Sequence, residues 1–275
     1  MQSGAGARNA ALLLLRDLIS ERTGVYFEQS TLDLMEGKIS DLMADRGIDS
    51  IFDYYYLLKY EGPSGDEWTK LLNAISVRET YFWREFDQIR TLVDVIVPGL
   101  ARTAIGPLRI WSAACATGDE PLTIAMALDQ AGWLDRIPLE IHATDMSSAA
   151  LCTAERGIYR ERAFRSLSQE LRDRYFRPVP DGWEIDPGIR RRITWHRANL
   201  TNRSEIEWLA RSPMIFCRNV FIYFSEHAIR AVVKTFAECM PTPGYLFVGA
   251  AESLLKFTSE FQLRQIEGAF VYVKE

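Results

Sequence analysis

Apolar residues recur at three- and four-residue spacing through the first quarter of the chain: Leu12, Leu15, Ile19; then Leu34, Ile39, Leu42, Met43; then Phe52, Tyr55, Tyr56, Leu58. That period belongs to amphipathic helices. Gly24, Gly47 and the Gly62-Pro63-Ser64-Gly65 stretch punctuate them. The pattern predicts an all-helical segment over residues 1–76, followed by a further helix over about Glu85–Leu100. Beyond it the period changes. Short apolar runs at Leu108–Trp111, Leu139–Ala143, Met214–Phe216 and Tyr245–Val248 read as buried strands. Thr123–Gln130, Ser147–Arg156, Ser204–Ala210 and His227–Cys239 read as the helices between them. Strands alternating with helices predict an α/β, doubly wound, mainly parallel sheet. The turn signals Pro180-Asp181-Gly182 and Asp186-Pro187-Gly188 flank runs rich in Trp, Ile and Arg, and predict a small antiparallel β-subdomain inserted at about residues 178–197.

Charge divides the chain at the same place. Residues 1–76 carry 7 Lys/Arg against 12 Asp/Glu, the whole net charge of −5, while residues 77–275 balance. This predicts two units with a boundary near Asn73–Val77. An acidic chain offers no electrostatic reason to bind nucleic acid. No apolar run approaches the roughly 20 residues that span a bilayer, so no membrane insertion is expected. The run Ala10–Leu15 is broken by Arg16 and Asp17 too early for a secretory signal. Four scattered cysteines and three histidines show no metal-ligand spacing. The class implied is a cytoplasmic α/β protein without a metal.

The segment Trp111–Pro121 leaves a strand and opens a helix, where doubly wound sheets bind nucleotides. Small residues from Ser112 to Gly118 let a ligand approach the backbone, and Gly118 can take positive φ. The phosphate-binding glycine patterns are absent, and Asp119 and Glu120 would repel a pyrophosphate at the helix start. They favour a cofactor that carries positive charge. Asp145 follows Gly118 by 27 residues, at the end of the next strand, in reach of ribose hydroxyls. From the loop alone a tight packing turn with ordinary first-turn acids stays open.

A set of motifs occurs in order along the chain: Arg78-Glu79-Thr80-Tyr81-Phe82-Trp83-Arg84, Trp111–Pro121, His142-Ala143-Thr144-Asp145, Gly157-Ile158-Tyr159, Phe216–Phe224 with its Cys217-Arg218-Asn219 string, and Gly244–Leu254. Together they resemble the CheR family of chemoreceptor glutamate methyltransferases over about Arg78–Tyr272. The resemblance implies a Rossmann-like, seven-stranded S-adenosylmethionine-dependent methyltransferase domain bearing a small β-subdomain, after an N-terminal helical domain. It implies methyl transfer to glutamates on a chemoreceptor's cytoplasmic helical bundle, with S-adenosylhomocysteine as product. Matching positions for cofactor contact are Thr80, Arg84, Ala113, Gly118, Glu120, Asp145, Asn199, Leu200, Arg218 and Asn219. Arg84 and Tyr223 match positions near the transferred methyl.

The chemistry is consistent with this. A glutamate is ionised at pH 7, so methylating it needs no strong base, only close in-line approach and a group that orients the carboxylate. Arg84 offers a planar fork, and Tyr223 a phenol expected at a strand end. Read singly, Arg84 could bridge two domains, Tyr223 could be a packing tyrosine, Asp145 could cap a helix, and Glu120 could complement a helix dipole. Three features depart from the family. Arg78 stands where it usually has an Asn that can accept from the cofactor's ammonium. Leu32–Arg46, usually basic, carries Asp33, Glu36, Asp41 and Asp45 against Lys38 and Arg46. The 181–195 insertion is compact, which predicts no tight binding of a receptor C-terminal pentapeptide. Two functional alternatives follow: a degenerate cofactor-binding scaffold, or a carboxyl methyltransferase of a non-receptor protein. A nicotinamide-dependent dehydrogenase is the generic rival.

Overall fold

A computed structural model describes residues 2–62 and 65–275; the turn expected at 62–65 therefore lies partly outside the described residues. Helices Gln2–Thr23 (α1), Leu32–Arg46 (α2), Ile51–Glu61 (α3) and Asp66–Ile75 (α4) form the N-terminal unit. Their apolar stripes close on one another, burying Leu15, Ile19, Met35, Ile39, Tyr54, Leu58, Trp68 and Leu71 in a core of their own. One charge lies inside: Glu67 accepts from the Tyr54 hydroxyl (3.0 Å) and from Nε of Arg46 (2.9 Å). A buried carboxylate is tolerable only when paired in this way. Gly47 ends α2 in the left-handed conformation at φ 66°, where its N–H caps the last carbonyls.

Ten strands follow: β1 (Leu108–Ala113), β2 (Leu139–Asp145), β3 (Ile158–Tyr159), β4 (Phe176–Val179), β5 (Gly182–Ile185), β6 (Ile193–Arg197), β7 (Met214–Phe216), β8 (Gly244–Phe247), β9 (Gln262–Ile266) and β10 (Ala269–Lys274). Seven of them form the main sheet in the order β6-β2-β1-β7-β8-β10-β9. The first five of that order are parallel; β10 enters antiparallel between β8 and β9. Helices cover both faces. Along each strand the pleat sends alternate side chains to opposite cores: Ile110, Ile141, Met214 and Phe216 to one, Trp111, Ile215, Cys217 and Leu246 to the other. Two buried faces explain why these strands read as mainly apolar runs rather than as strict alternation.

The β-subdomain differs from the predicted 178–197. Its three strands are β3-β5-β4, spread over residues 158–185. Residues 193–197 instead add to the main sheet as its parallel edge strand β6, beside β2. An edge strand buries one face only, so its pattern resembles that of a surface hairpin. The β9–β10 hairpin turns on Glu267 and Gly268, both at positive φ, and carries no strand signal strong enough to predict from the sequence. The helix expected at Glu85–Leu100 runs from Phe86 to Ala101 with a π-turn at Leu92–Ile96, and the one expected at Ser204–Ala210 is a single turn, Arg203–Ile206.

Candidate active site

The strand order reverses between β1 and β7, so their C-terminal loops diverge and leave a crevice there. The loops after β1, β2, β6 and β7 floor it. The linker 75–84 and the N-terminal unit roof it, tied down by bonds from the Tyr26 N–H to the Tyr223 carbonyl (2.8 Å) and from Asn199 Nδ2 to the Arg22 carbonyl (2.6 Å). The crevice holds a cavity of ≈ 440 Å³ whose walls are mainly apolar, including Phe27, Leu34, Val77, Met146 and Leu200, with Asp145 among them. A smaller polar recess lined by Thr80, Arg84, Glu120 and Arg218 adjoins it. The two share Val77, Ala114, Ala116 and Asn219.

The shared residues are backbone devices. Ala114, Ala116 and Asn219 all sit at positive φ (58°, 48° and 57°), as do Trp83 and Glu85 on the facing linker (66° and 47°). Non-glycine residues reach that region only where their surroundings hold them there, and such strain concentrates at functional sites. Here the holding groups are visible. Asp145 accepts from the N–H groups of Ala116 (2.9 Å) and Ser147 (2.8 Å). It thereby splints the loop after β1 to the end of β2. Burial pushes its carboxyl pKa up, and these amides and the charge of Arg78 pull it back. Glu252 accepts from Asn219 and Gly249 N–H (2.7 Å each) and from Ile222 N–H (3.2 Å), joining the loops after β7 and β8.

In the recess Arg218 is the central cation, its side chain only 2% exposed. It pairs with Glu85 (3.2 Å) and Glu120 (3.3 Å) and donates to the Arg84 carbonyl (2.7 Å). Its Nε has no partner among the described residues. Glu120 also accepts from the Ser112 hydroxyl (2.7 Å). Burial raises its pKa, and Arg218 and Ser112 oppose the rise. Arg84 is half-buried, donates to the Glu79 carbonyl (3.2 Å), pairs through Nε with Glu85 (4.0 Å) and lies 5.5 Å from the Tyr81 ring centroid. Its Nη2 takes part in neither polar contact.

The structure brings Thr80, Arg84, Glu120, Arg218 and Asn219 around the recess and Asp145, Asn199, Leu200, Asn219 and Tyr223 around the cavity. Two expected cofactor contacts line neither. Ala113 is the buried last residue of β1. Gly118, at φ 88°, turns its bare α-carbon to protein instead: a Cβ there would lie 2.8 Å from both Ala154 and Trp195. The close approach that needs glycine is to a helix and to β6, not to a ligand. Asn199 has its side chain occupied by the Arg22 carbonyl and by Thr201. Tyr223 sits in a 3-10 turn, Phe221–Tyr223, rather than at a strand end, and is 36% exposed. Arg78 lines neither the recess nor the cavity and donates to the Asn73 carbonyl (3.1 Å). Sequence reasoning missed Glu85 and Glu252, which hold the site's arginine and loops. Both lie in or beside the quoted motifs, but nothing in the linear pattern shows which amides they reach.

S-Adenosylmethionine combines an adenine, a ribose diol, a cationic sulfur and an amino-acid end. The crevice matches that composition. It pairs apolar walls and one carboxylate in a volume ordinary for such ligands with a recess holding both acid and arginine. A pyrophosphate there would face the carboxylates of Asp145 and Glu120. Comparison with known proteins agrees. The chain is 32% identical over 263 residues to chemotaxis protein methyltransferase 2 of Vibrio cholerae, covering 94% of this chain and 91% of that one. It is 31% identical over 274 residues to chemotaxis protein methyltransferase 1 of Pseudomonas aeruginosa, covering 97% and 98%. The family description "CheR methyltransferase, SAM binding domain" matches residues 78–270, and "CheR methyltransferase, all-alpha domain" matches residues 10–76. A methyltransferase sheet opening onto an acidic, phosphate-averse crevice, roofed by a helical domain that the same family carries, places this chain in the S-adenosylmethionine-dependent CheR methyltransferase family.

Proposed function

We propose that this enzyme methylates glutamate side chains on the cytoplasmic helical bundle of a chemoreceptor, forming γ-methyl esters in chemosensory adaptation. The observation that carries the reading is the placement of Arg84: a half-buried guanidinium with free donors in a recess that opens directly onto the cofactor cavity. A carboxylate acceptor needs such a partner, and a planar fork can hold both of its oxygens.

When bound, S-adenosylmethionine supplies an electrophilic methyl group on a cationic sulfur. The protein's own residues supply position. Asp145 faces the cavity with lone pairs left over after its two backbone bonds, which suits a ribose diol. Glu120 and the donors of Arg218 and Asn219 suit the ammonium and carboxylate of the amino-acid end. Leu200 and Asn199 wall the adenine side, Asn199 through its backbone because its amide is already engaged. Thr80 closes the recess beside Arg84. Arg84 orients the acceptor carboxylate, and Tyr223 covers the reacting atoms at the cavity mouth. The acceptor is already an anion, so no residue has to remove a proton. Water exclusion by the roofing helical unit strengthens every charge interaction inside.

No described helix is long and apolar enough to cross a membrane. A cytoplasmic receptor domain as substrate implies a cytoplasmic enzyme. The test is base-labile transfer of label from S-adenosylmethionine to a receptor cytoplasmic fragment; cofactor binding without labelling would overturn the substrate assignment. One observation favours a second reading, a carboxyl methyltransferase of a divergent sensory protein. Both cations of α2 are engaged within the unit, Lys38 by the Ala74 carbonyl (2.7 Å) and Arg46 by Glu67 (2.9 Å), while Asp33, Asp41 and Asp45 are exposed and unpaired among the described residues. We further expect no tight binding of a receptor C-terminal pentapeptide by the compact three-stranded sheet. Micromolar binding by calorimetry would refute that.

A further inference from the structure

On the far side of the recess from the apolar cavity lies a third depression, a shallow groove of ≈ 320 Å³. It shares Glu79 and Thr80 with the recess, so the three form a row with the Arg84 pocket in the middle. Arg78, Arg156, Arg160 and Arg162 line the groove. Of these, among the described residues, only Arg162 has a carboxylate partner, and it shares that partner, Glu79, with Arg165. Arg156 and Arg160 are exposed. The surrounding segment is strongly biased: residues 156–197 contain eleven arginines, no lysine and six carboxylates. At the other end of the row, α2 presents Asp33, Asp41 and Asp45 to solvent. The site is therefore electrically polar along its length, acidic beyond the cofactor cavity and cationic beyond the recess.

We propose that the groove seats an acidic flank of the protein substrate, with carboxylates near the modified glutamate held by Arg78, Arg156 and Arg160. This rests on the reading of the site as a glutamate methyltransferase. Glutamates one or two turns apart on a helix are spaced by about 5–11 Å, so a helix with its target glutamate in the recess can place a second one in the adjoining groove. Arginine forks bind carboxylates in a fixed plane. The exposed acids of α2 repel the same flank at the opposite end. The two together set the direction in which a helical substrate crosses the site, and they assign substrate attraction to the β-subdomain side instead of to α2.

The experiment uses the full-length enzyme, labelled S-adenosylmethionine and a receptor cytoplasmic fragment. Arg156→Glu/Arg160→Glu is expected to raise KM for the fragment about tenfold at low salt, with the difference shrinking at high salt as the charges are screened. Its kcat and its affinity for S-adenosylhomocysteine stay at wild-type values. Asp41→Lys/Asp45→Lys is expected to lower KM. A KM unchanged by the arginine reversals, in an enzyme that methylates the fragment, overturns the groove assignment alone. Failure of the wild-type enzyme to label the fragment overturns the substrate reading and the groove with it. Competition by a duplex oligonucleotide stronger than that by a glutamate-rich peptide overturns it in favour of a nucleic-acid site.

Discussion

Glu252 takes no part in the chemistry proposed above, yet its loss should disable the site. Its carboxylate collects three backbone N–H groups from two separate loops: Asn219 and Gly249 at 2.7 Å and Ile222 at 3.2 Å. Hydrogen bonds to a charged acceptor contribute about 1.5–3 kcal/mol each when sheltered from water. The two short ones count most; Gly249 is buried, whereas Ile222 is exposed and water can replace that bond. Allowing for partial resolvation, Glu252→Ala should cost about 2–4 kcal/mol of folding stability. It also releases Asn219, held at φ 57°, from the wall common to both pockets. Turnover on the fragment should then fall about a hundredfold, the penalty of misplacing reacting groups by about an ångström. Glu252→Gln keeps one oxygen for the two short bonds and should cost only about 1 kcal/mol. Urea unfolding reads the first quantity and initial rates at saturating cofactor the second. Two results would refute the reasoning: Glu252→Ala as stable and active as wild type, or Glu252→Gln as damaging as Glu252→Ala.

Arg84→Ala and Tyr223→Phe should each lower kcat with little change in S-adenosylhomocysteine affinity, read by comparing rates with calorimetry. A matched loss of binding would move both residues to the cofactor. Asp145→Ala should weaken cofactor binding by about tenfold or more, the equivalent of one charged hydrogen bond; normal binding would remove the ribose role. Burial raises the Asp119 carboxyl from 3.8 to about 6, against a hydrogen bond from Thr117. The folded state therefore holds a proton that the unfolded chain has released between those values, and stability should fall as pH rises through that window. The loss is about 2–3 kcal/mol, because each tenfold difference in proton affinity between the two states is worth about 1.4 kcal/mol. Asp119→Asn, which can still accept from Thr117, should flatten this profile in thermal melts at pH 4 and pH 7, and an unchanged slope would count against it.

Much of this protein is legible in one dimension because its information is local. The helical period of residues 1–76, the apolar runs of β1, β2, β7 and β8, and the small-residue loop with its two acids each follow from the residues within them. So does the expectation that the loop disfavours a phosphate ligand, which rests on two acids at the helix start; of these the structure turns only Glu120 to the recess, while Asp119 is buried. What only the tertiary structure decided depends on which distant groups meet. Residues 193–197 join the main sheet because β2 offers them a parallel edge, information that is not carried by their own pattern. Gly118 is required by Ala154 and Trp195, neighbours 36 and 77 residues away. Glu252 and Glu85 matter through backbone amides and an arginine that folding delivers to them. The acidity of α2 was plain from its sequence. That its two cations are engaged by the Ala74 carbonyl and Glu67, and that unpaired arginines gather at the other end of the site, depends on packing and ion pairing that exist only once the chain is folded.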